Sequence, residues 1–157
     1  MLRLSKKADY ALLALRHLAA SQPGAVSARE LAESYDLPPE LLAKVLQLLV
    51  RAKLLTSQQG IRGGYALAKK PADISVADVI LAIDGPMTVT ACSESDQSCE
   101  QYKKCNIRDP LWKLKDRIVS ALSATSVAEL AADLKPAVES IPVAVGRPAN
   151  MNRAGRS

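Results

Sequence analysis

All three cysteines of the chain lie in one polar segment, Cys92 to Cys105, where six and then five residues separate them. This spacing matches neither one face of a helix nor the close cysteine pairs of many zinc sites, so the backbone has to wrap loosely around whatever the thiolates bind. Such a loop favours a cluster over a single ion, since iron-sulfur clusters are held mainly by cysteine thiolates. Zinc, a thiol redox switch and inert cysteines stay open as alternatives, and a fourth ligand has to come from elsewhere.

The core of this chain has to be built from aliphatic side chains. Hydrophobic residues form 48% of the 157-residue sequence, but aromatic residues form only 3% and Phe is absent. This composition and length favour a mainly helical domain, with or without an appendage. The first residues lack the features of a signal peptide, and no apolar stretch approaches the ~20 residues of a membrane span. We therefore expect a cytoplasmic protein with no membrane partner.

The formal net charge of +5 is distributed unevenly along the chain. Residues 1–70 carry +6, residues 71–134 carry −4 and residues 135–157 carry +3. A basic first part beside an acidic middle indicates that the first part meets a polyanion and the middle meets something else. The last part shows no sustained apolar period, so residues 135–157 are expected to form a disordered, basic tail.

Two helices joined by a short turn are predicted in the basic part, after an amphipathic helix over residues 5–20. Ser27 and Glu30 form a capping-box pattern that begins a short helix. Pro38-Pro39 is suited to begin a longer helix with a polar outer face. This pattern is typical of a helix-turn-helix, although a plain helical hairpin would look similar.

A glycine-rich hairpin is predicted directly after this pair of helices. Leu54–Thr56 and Tyr65–Ala68 are strand-like runs, and the polar segment Ser57–Gly64 between them is suited to a turn. A hairpin after a recognition helix is a wing, in which Arg62 can extend toward phosphates or into a minor groove. An arginine on a flexible loop is the alternative. The residues expected to contact DNA are Ser27 and Arg29 at phosphate, Glu40, Ala43, Lys44 and Gln47 in the major groove, and Arg62 and Gly63 in the wing.

Further helices are predicted around the cysteine segment. Ser75 caps a helix that Gly85 ends, and Asp109-Pro110 is expected to provide the N-cap and first residue of a long one. Ser126 caps a last short helix. The long helix carries an apolar seam suited to pairing with another helix, which predicts a homodimer, with packing against the first helix of its own chain as the alternative. The seam residues are Leu111, Leu114, Ile118, Ala121 and Leu122.

Four segments carry more specific motifs: Leu2–Ala11, the wing segment Gly60–Ala68, Ile74–Ile80 and the cysteine loop. Together with the order of the elements, they resemble the Rrf family of bacterial winged-helix regulators over about residues 1–134. The segment Leu81–Cys92 is most similar to regulators of the SUF iron-sulfur assembly operon. The resemblance implies a mainly α fold with a small β-hairpin wing. It places a winged helix-turn-helix in residues 1–70, and a cluster-binding loop with a long C-terminal dimerisation helix in residues 71–134.

The resemblance also implies that Cys92, Cys99 and Cys105 hold an iron-sulfur cluster, with a 2Fe-2S form favoured over a 4Fe-4S form. Members similar to IscR add a histidine three residues after the third cysteine, where this chain has Arg108. Members similar to NsrR use an acidic residue in the first helix of the partner subunit, and the matching position here is Asp9. Since a carboxylate is a harder ligand than a thiolate, a site using Asp9 should exchange its cluster more readily.

The function that this resemblance implies is repression of SUF-type iron-sulfur assembly genes by a homodimer that binds operator DNA and senses cluster status. A nitric-oxide or redox-sensing repressor with the same ligands is the alternative within this class. A small iron-sulfur or zinc protein without a sensing role is the alternative outside it. The sequence has no paired nucleophile and base, no phosphate loop and no paired carboxylate motif, so neither enzymatic activity nor a small-molecule substrate is expected.

Overall fold

The computed structural model describes residues 3–21, 23–89 and 99–132, and in these ranges the chain forms six α-helices and one antiparallel β-hairpin. The elements in chain order are α1 (Lys6–Ala20), α2 (Ala28–Ser34), α3 (Pro39–Arg51), β1 (Leu55–Gln58), β2 (Gly64–Leu67), α4 (Val76–Asp84), α5 (Arg108–Ala124) and α6 (Val127–Ala132). A 3₁₀ turn at Pro71–Asp73 precedes α4. The predicted mainly helical fold with a small hairpin is confirmed. Cys92 and the predicted tail, residues 135–157, lie outside the described residues.

An aliphatic core joins α1, α2 and α3. Every buried side chain in the described ranges is Ala, Val, Leu or Ile, and none is polar or charged. The helix α1 contacts α3, α4, α6 and β2, so it lies at the centre of the molecule. The largest fully buried side chains come from one face of each helix, as the apolar period predicts. They include Leu15, Leu18, Leu31, Leu42, Val45, Leu46 and Leu49.

Serine side chains determine where α1 and α4 begin. Ser5 Oγ accepts a hydrogen bond from the Ala8 amide at 3.1 Å and donates one to Asp84 Oδ1 at 2.8 Å. At α4 the capping box is complete, because Ser75 Oγ accepts from the Asp78 amide at 3.1 Å and Asp78 Oδ2 accepts from the Ser75 amide at 3.0 Å. Each such cap contributes about 1 kcal/mol to helix stability. Ser5 additionally ties the start of α1 to the end of α4.

The two strands of the hairpin extend closer to the turn than the sequence predicted. Leu55 pairs with Leu67 at the base, and Gln58 pairs with Gly64 at the turn end. Ser57 was predicted to belong to the connecting turn, but it pairs with a residue of β2. Polar residues can extend the ladder because its hydrogen bonds join backbone groups.

A backbone bridge holds the hairpin against the loop before α2. Val26 and Tyr65 exchange two hydrogen bonds, with N···O distances of 3.0 Å and 2.8 Å. A Cβ atom at position 64 would lie 2.5 Å from the Val26 carbonyl oxygen, so Gly64 permits this close approach. The hairpin is therefore fixed, near its turn end, to the loop that leads into α2.

Asp109 is not the N-cap of α5, contrary to the sequence prediction. The helix begins at Arg108 with Ile107 before it, and the Leu111 amide donates to the Ile107 carbonyl at 3.0 Å. Pro110 is tolerated inside the first turn because amides there have no partner within the helix. The Asp109 carboxylate accepts a hydrogen bond from Arg108 Nε at 2.8 Å instead of capping the helix.

The helix α5 lies along α4, and the chain then returns to the core through α6. None of the 17 residues of α5 is fully buried. The return is fixed by the Val76 amide, which donates to the Thr125 carbonyl at 2.9 Å, and by the Val127 amide, which donates to the Ile74 carbonyl at 2.8 Å. Val127 is fully buried. The segment that follows α5 is thus connected to the start of α4, while much of α5 itself stays accessible.

Candidate nucleic-acid interface and thiol site

The outer face of α3 is polar and accessible. Glu40, Lys44 and Gln47 are exposed, and Ala43 between them is partly exposed. These positions recur at helical spacing, so the predicted base-contacting residues share one face of the helix. The opposite face is buried in the core through Leu42, Val45, Leu46 and Leu49.

The turn between α2 and α3 is shaped by its backbone. Asp36 adopts a φ of 52°, a conformation that short polar residues such as aspartate tolerate better than most. The next residue, Leu37, donates its amide to the Ala32 carbonyl at 2.9 Å. Pro39 then occupies the first position of α3, where its fixed φ suits the helix. Local sequence therefore sets how the two helices of the helix-turn-helix meet.

The start of α2 carries the two residues that were predicted to hold phosphate. Ser27 Oγ accepts a hydrogen bond from the Glu30 amide at 3.1 Å, which confirms the serine half of the predicted cap. Arg29 is 87% exposed and pairs with Glu33 at 2.7 Å across one helical turn. The hydrogen bond to Glu33 raises the pKa of Arg29. Such an exposed pair contributes little to stability, so the guanidinium can exchange this partner for a phosphate.

The tip of the wing presents two side chains to solvent. The Gly63 amide donates to the Gly60 carbonyl at 2.9 Å, which closes a turn with Ile61 and Arg62 at its centre. Arg62 is exposed, and Ile61 is 108% exposed, as accessible as in an extended peptide. Sequence reasoning selected Arg62 and Gly63 but missed Ile61. The sequence did contain a signal for Ile61, because an aliphatic residue in the polar turn between Gly60 and Gly63 has no core to pack against.

Two of the three cysteines fall within the described residues. Cys99 is exposed, Cys105 is partly exposed, and both are free thiols. Between them the backbone turns twice, since the Tyr102 amide donates to the Cys99 carbonyl at 2.9 Å and the Lys104 amide donates to the Gln101 carbonyl at 2.9 Å. The two thiols therefore lie on a structured turn that leads into α5. Accessible, unpaired sulfur is a suitable donor for iron-sulfur or zinc binding.

Arg108, at the first position of α5, holds this turn. Its Nη1 donates to the Tyr102 carbonyl at 3.0 Å, and its Nε donates to Asp109 Oδ1 at 2.8 Å. The guanidinium carbon lies 4.3 Å from the ring centroid of Tyr102 and 5.3 Å from that of Trp112. The hydrogen bond to Asp109 raises the pKa of Arg108, and burial of the side chain opposes that shift. This arginine is thus fully engaged by the cysteine turn and the helix start.

The helices α4 and α5 leave apolar side chains accessible. Leu81 of α4 is 57% exposed and Leu114 of α5 is 44% exposed. A groove of about 780 Å³ lies between the two helices and the residues before α1, with Ile80, Ile118 and Leu122 among its lining. Of the predicted seam, Leu114 and Ala121 are thus exposed, and Ile118 and Leu122 border the groove.

Comparison with known proteins assigns the chain to a family. The sequence profile of the Rrf2 family, described as an iron-dependent transcriptional regulator, matches residues 4–133. The chain belongs to the Rrf2 family of transcriptional regulators. It is 34% identical to the regulator IscR of Photorhabdus laumondii over 131 residues, which are 82% of this chain and 79% of IscR. It is 40% identical to an HTH-type transcriptional regulator of Mycobacterium tuberculosis over 87 residues, 55% of this chain, and spans about half, 54%, of that relative's length.

The fold of this Rrf2 protein is shared with a solved regulator. The structure of CymR, the global cysteine regulator of B. subtilis, superposes with a TM-score of 0.70 at 28% identity, covering 84% of this chain and 98% of that one. Rrf2 regulators bind DNA, are often dimeric and are not enzymes, which confirms the predicted class of function. Within the described ranges, no helix is long and apolar enough to cross a membrane.

The residue predicted as a fourth metal ligand, Asp9, is not grouped with the two described cysteines. Asp9 is exposed in the first turn of α1, and within the described residues its carboxylate has no hydrogen-bond or ion-pair partner. The described part of one chain contains no group of three or more His, Cys, Asp or Glu residues arranged to hold a metal, so Asp9, Cys99 and Cys105 do not form one. Cys92 lies outside the described residues. The sequence prediction placed the contributing Asp9 on the partner subunit, and its role as a ligand stays a prediction.

Proposed function

We propose that this Rrf2 protein is a homodimeric repressor of iron-sulfur assembly genes of the SUF type, and that its three cysteines hold the cluster whose status it senses. One observation carries the proposal. Two accessible, unpaired thiols lie on a structured turn that leads directly into an incompletely buried helix of a winged helix-turn-helix protein. A metal site in this position can influence how two DNA-binding heads are spaced.

The DNA-binding mode follows from the accessible faces. The polar face of α3 enters the major groove, where Lys44 and Gln47 can bond base edges and Glu40 can accept from cytosine. Ser27 and Arg29 hold the phosphate backbone beside it. The wing extends to the neighbouring minor groove, where Arg62 meets phosphate or the groove floor.

Ile61 adds an apolar contact at the wing tip. A fully exposed isoleucine gains free energy only when a partner covers it. The adjacent Arg62 brings the same turn to the DNA backbone, whose deoxyribose rings offer an apolar surface. We expect Ile61 to pack on those sugars.

Dimerisation through α5 accounts for its accessible apolar residues. None of the 17 residues of α5 is buried, which is unusual for a helix that contains Leu111, Leu114, Ile118 and Leu122. A second copy related by a two-fold axis would cover these side chains with the same surface of its own. The dimer then presents two α3 helices to the two halves of a palindromic operator.

The described thiols fit an iron-sulfur cluster chemically. Cys99 and Cys105, together with Cys92, would supply three thiolates, and Asp9 of the partner subunit would supply a fourth, harder ligand. When bound, the cluster supplies a centre whose presence depends on iron, sulfide and oxidants. The exposure of Cys99 keeps the site open to exchange.

A continuous series of contacts joins the thiol turn to the recognition helix. The turn leads into α5, and α5 lies along α4. A hydrogen bond from Ser5 to Asp84 joins the start of α1 to the end of α4, and α1 packs against α3. Because Asp9 lies in the first turn of α1, a ligand bond from the partner's Asp9 would act on the same helix. Coupling of about 1 to 3 kcal/mol through such contacts changes operator affinity roughly 5- to 150-fold.

Purification without oxygen tests the proposal at its first step. We expect iron and acid-labile sulfide in comparable amounts, with visible absorbance that disappears in a variant with all three cysteines replaced by serine. Stoichiometric zinc without sulfide would show a structural metal site and contradict the sensing role.

Sensing of nitric oxide or oxidants is the second candidate function. It is favoured by the exposure of Cys99 and by the arginine at position 108, where members similar to IscR have a histidine ligand. Without that histidine the fourth ligand would be the carboxylate of Asp9, and a carboxylate-ligated cluster is more labile. The distinction is made by treating the cluster-loaded dimer with nitric oxide. Loss of operator binding at stoichiometric nitric oxide would favour this candidate over sensing of cluster supply.

A further inference from the structure

Arg108 is held in place by four contacts that all involve the thiol turn or the start of α5. The guanidinium donates hydrogen bonds to the Tyr102 carbonyl at 3.0 Å and to the Asp109 carboxylate at 2.8 Å, and it lies over the rings of Tyr102 and Trp112. Its side chain is only 21% exposed. Tyr102 lies between the two described cysteines, so Arg108 fixes the middle of the turn that carries them.

The position of this arginine is electrostatically unfavourable unless it has local partners. Arg108 is the first residue of α5, where the helix dipole disfavours a positive charge. The Asp109 carboxylate and the Tyr102 carbonyl offset this cost by accepting its hydrogen bonds. The planar guanidinium can make these two bonds and stack on an aromatic ring at once, which a lysine ammonium cannot.

We propose that Arg108 is a positioning residue that locks the Cys99–Cys105 turn to the first turn of α5, so that the placement of the thiols and the direction of the helix change together. The inference rests on the proposed cluster-sensing function for its purpose, but the lock itself is a property of the chain alone. It makes Arg108 a link between the ligands and the dimerisation helix rather than a ligand.

A purely electrostatic role is the competing explanation. Lys103, Lys104 and Arg108 all place positive charge near the thiolates, and any of them could offset the negative charge of a loaded site. The two explanations differ in what a charge-conserving substitution does. Arg108→Lys keeps the charge and removes the paired hydrogen bonds, whereas Lys104→Met removes a neighbouring charge and leaves the contacts of Arg108 intact.

The first experiment uses full-length protein without iron or sulfide. Amide hydrogen exchange is measured for the segment 99–111 in wild type, Arg108→Met, Arg108→Lys and Lys104→Met. The lock predicts that the Tyr102 and Lys104 amides exchange about tenfold faster or more in both Arg108 variants, as expected when a hydrogen bond to a charged group is lost. In Lys104→Met the Tyr102 amide, whose own residue and neighbours are unchanged, should match wild type. Far-ultraviolet circular dichroism and amides of α3 serve as the check that each variant is folded.

The second experiment repeats the comparison after anaerobic loading with iron and sulfide. Visible circular dichroism reports the handedness of the cluster surroundings, and it should change in both Arg108 variants but not in Lys104→Met. Cluster release to a chelator should be several-fold faster in the same two variants.

The outcomes separate the inference from the proposed function. Unchanged hydrogen exchange in Arg108→Met, or full recovery of wild-type exchange and dichroism by Arg108→Lys, would overturn the positioning role. Wild-type protein that takes up no cluster would contradict the proposed function, yet the exchange result would still decide whether the lock exists.

Discussion

Replacing Arg62 with Ala should weaken operator binding and make it less sensitive to salt. The side chain stands at the tip of a turn closed by the Gly60–Gly63 hydrogen bond, with no partner in the described part of the chain. Its charge is therefore available to displace counterions from DNA. Removing it leaves the fold intact, because neither the hairpin ladder nor the bridge between Val26 and Tyr65 uses this side chain.

The size of the effect follows from the number of wings. Each neutralised phosphate contributes about −0.9 to the slope of log affinity against log salt concentration. A dimer with two wings should lose about 1.8 from that slope. Over a roughly fourfold rise in salt, from about 50 to about 200 mM, wild type should therefore lose about 12 times more affinity than the variant.

Ile61→Ala provides the matched control on the same turn. If about half of the side chain is buried on DNA, the substitution costs about 1 kcal/mol per wing. Two wings then lower affinity roughly 30-fold. The salt slope should stay at the wild-type value, because no charge is removed.

Fluorescence anisotropy with one operator duplex at several salt concentrations measures both quantities. A wild-type slope in Arg62→Ala would exclude a phosphate contact, and unchanged affinity as well would remove the residue from the interface. A changed slope in Ile61→Ala would show that the turn itself had been disturbed, and the comparison would refute the division into charged and apolar contacts.

Three further substitutions test the path from thiols to DNA. Asp9→Ala should release the cluster faster to an iron chelator, and an unchanged rate would rule out the partner's carboxylate as fourth ligand. Ser5→Ala loses a cap and the hydrogen bond to Asp84, so it should lower the free energy of unfolding by about 1 kcal/mol in a denaturant titration. It should also reduce the difference in operator affinity between cluster-loaded and stripped protein. If that difference stays at the wild-type value, the hydrogen bond carries no coupling. Leu114→Asp should yield monomers in light scattering, and an intact dimer would place the interface elsewhere.

The helices were predictable because their determinants lie within a few residues of each other. The caps at Ser27 and Ser75 and the apolar period of α3 are local, and the structure has these helices where the sequence placed them. The start of α5 was not predictable in the same way. Asp109 has the chemistry of an N-cap, but Arg108 competes for its carboxylate, and that outcome depends on how the preceding turn folds back.

The candidate site was predictable in its residue types and less so in its arrangement. The polar face of α3 follows from periodicity alone, since one face had to fill the aliphatic core. The exposure of Ile61 and the contacts of Arg108 arise from the tertiary structure of two turns, which no periodic pattern encodes. The roles of the predicted DNA-binding and ligand residues stay predictions.

Operator binding by the dimer isolated without oxygen, measured first with its cluster and again after the cluster is stripped, tests the central claim most directly. The account predicts affinities that differ roughly 5- to 150-fold. It also predicts that the difference disappears when the cysteines are replaced by serine. Equal affinities for the filled and stripped wild-type dimer would leave a DNA-binding protein whose thiols do not regulate it.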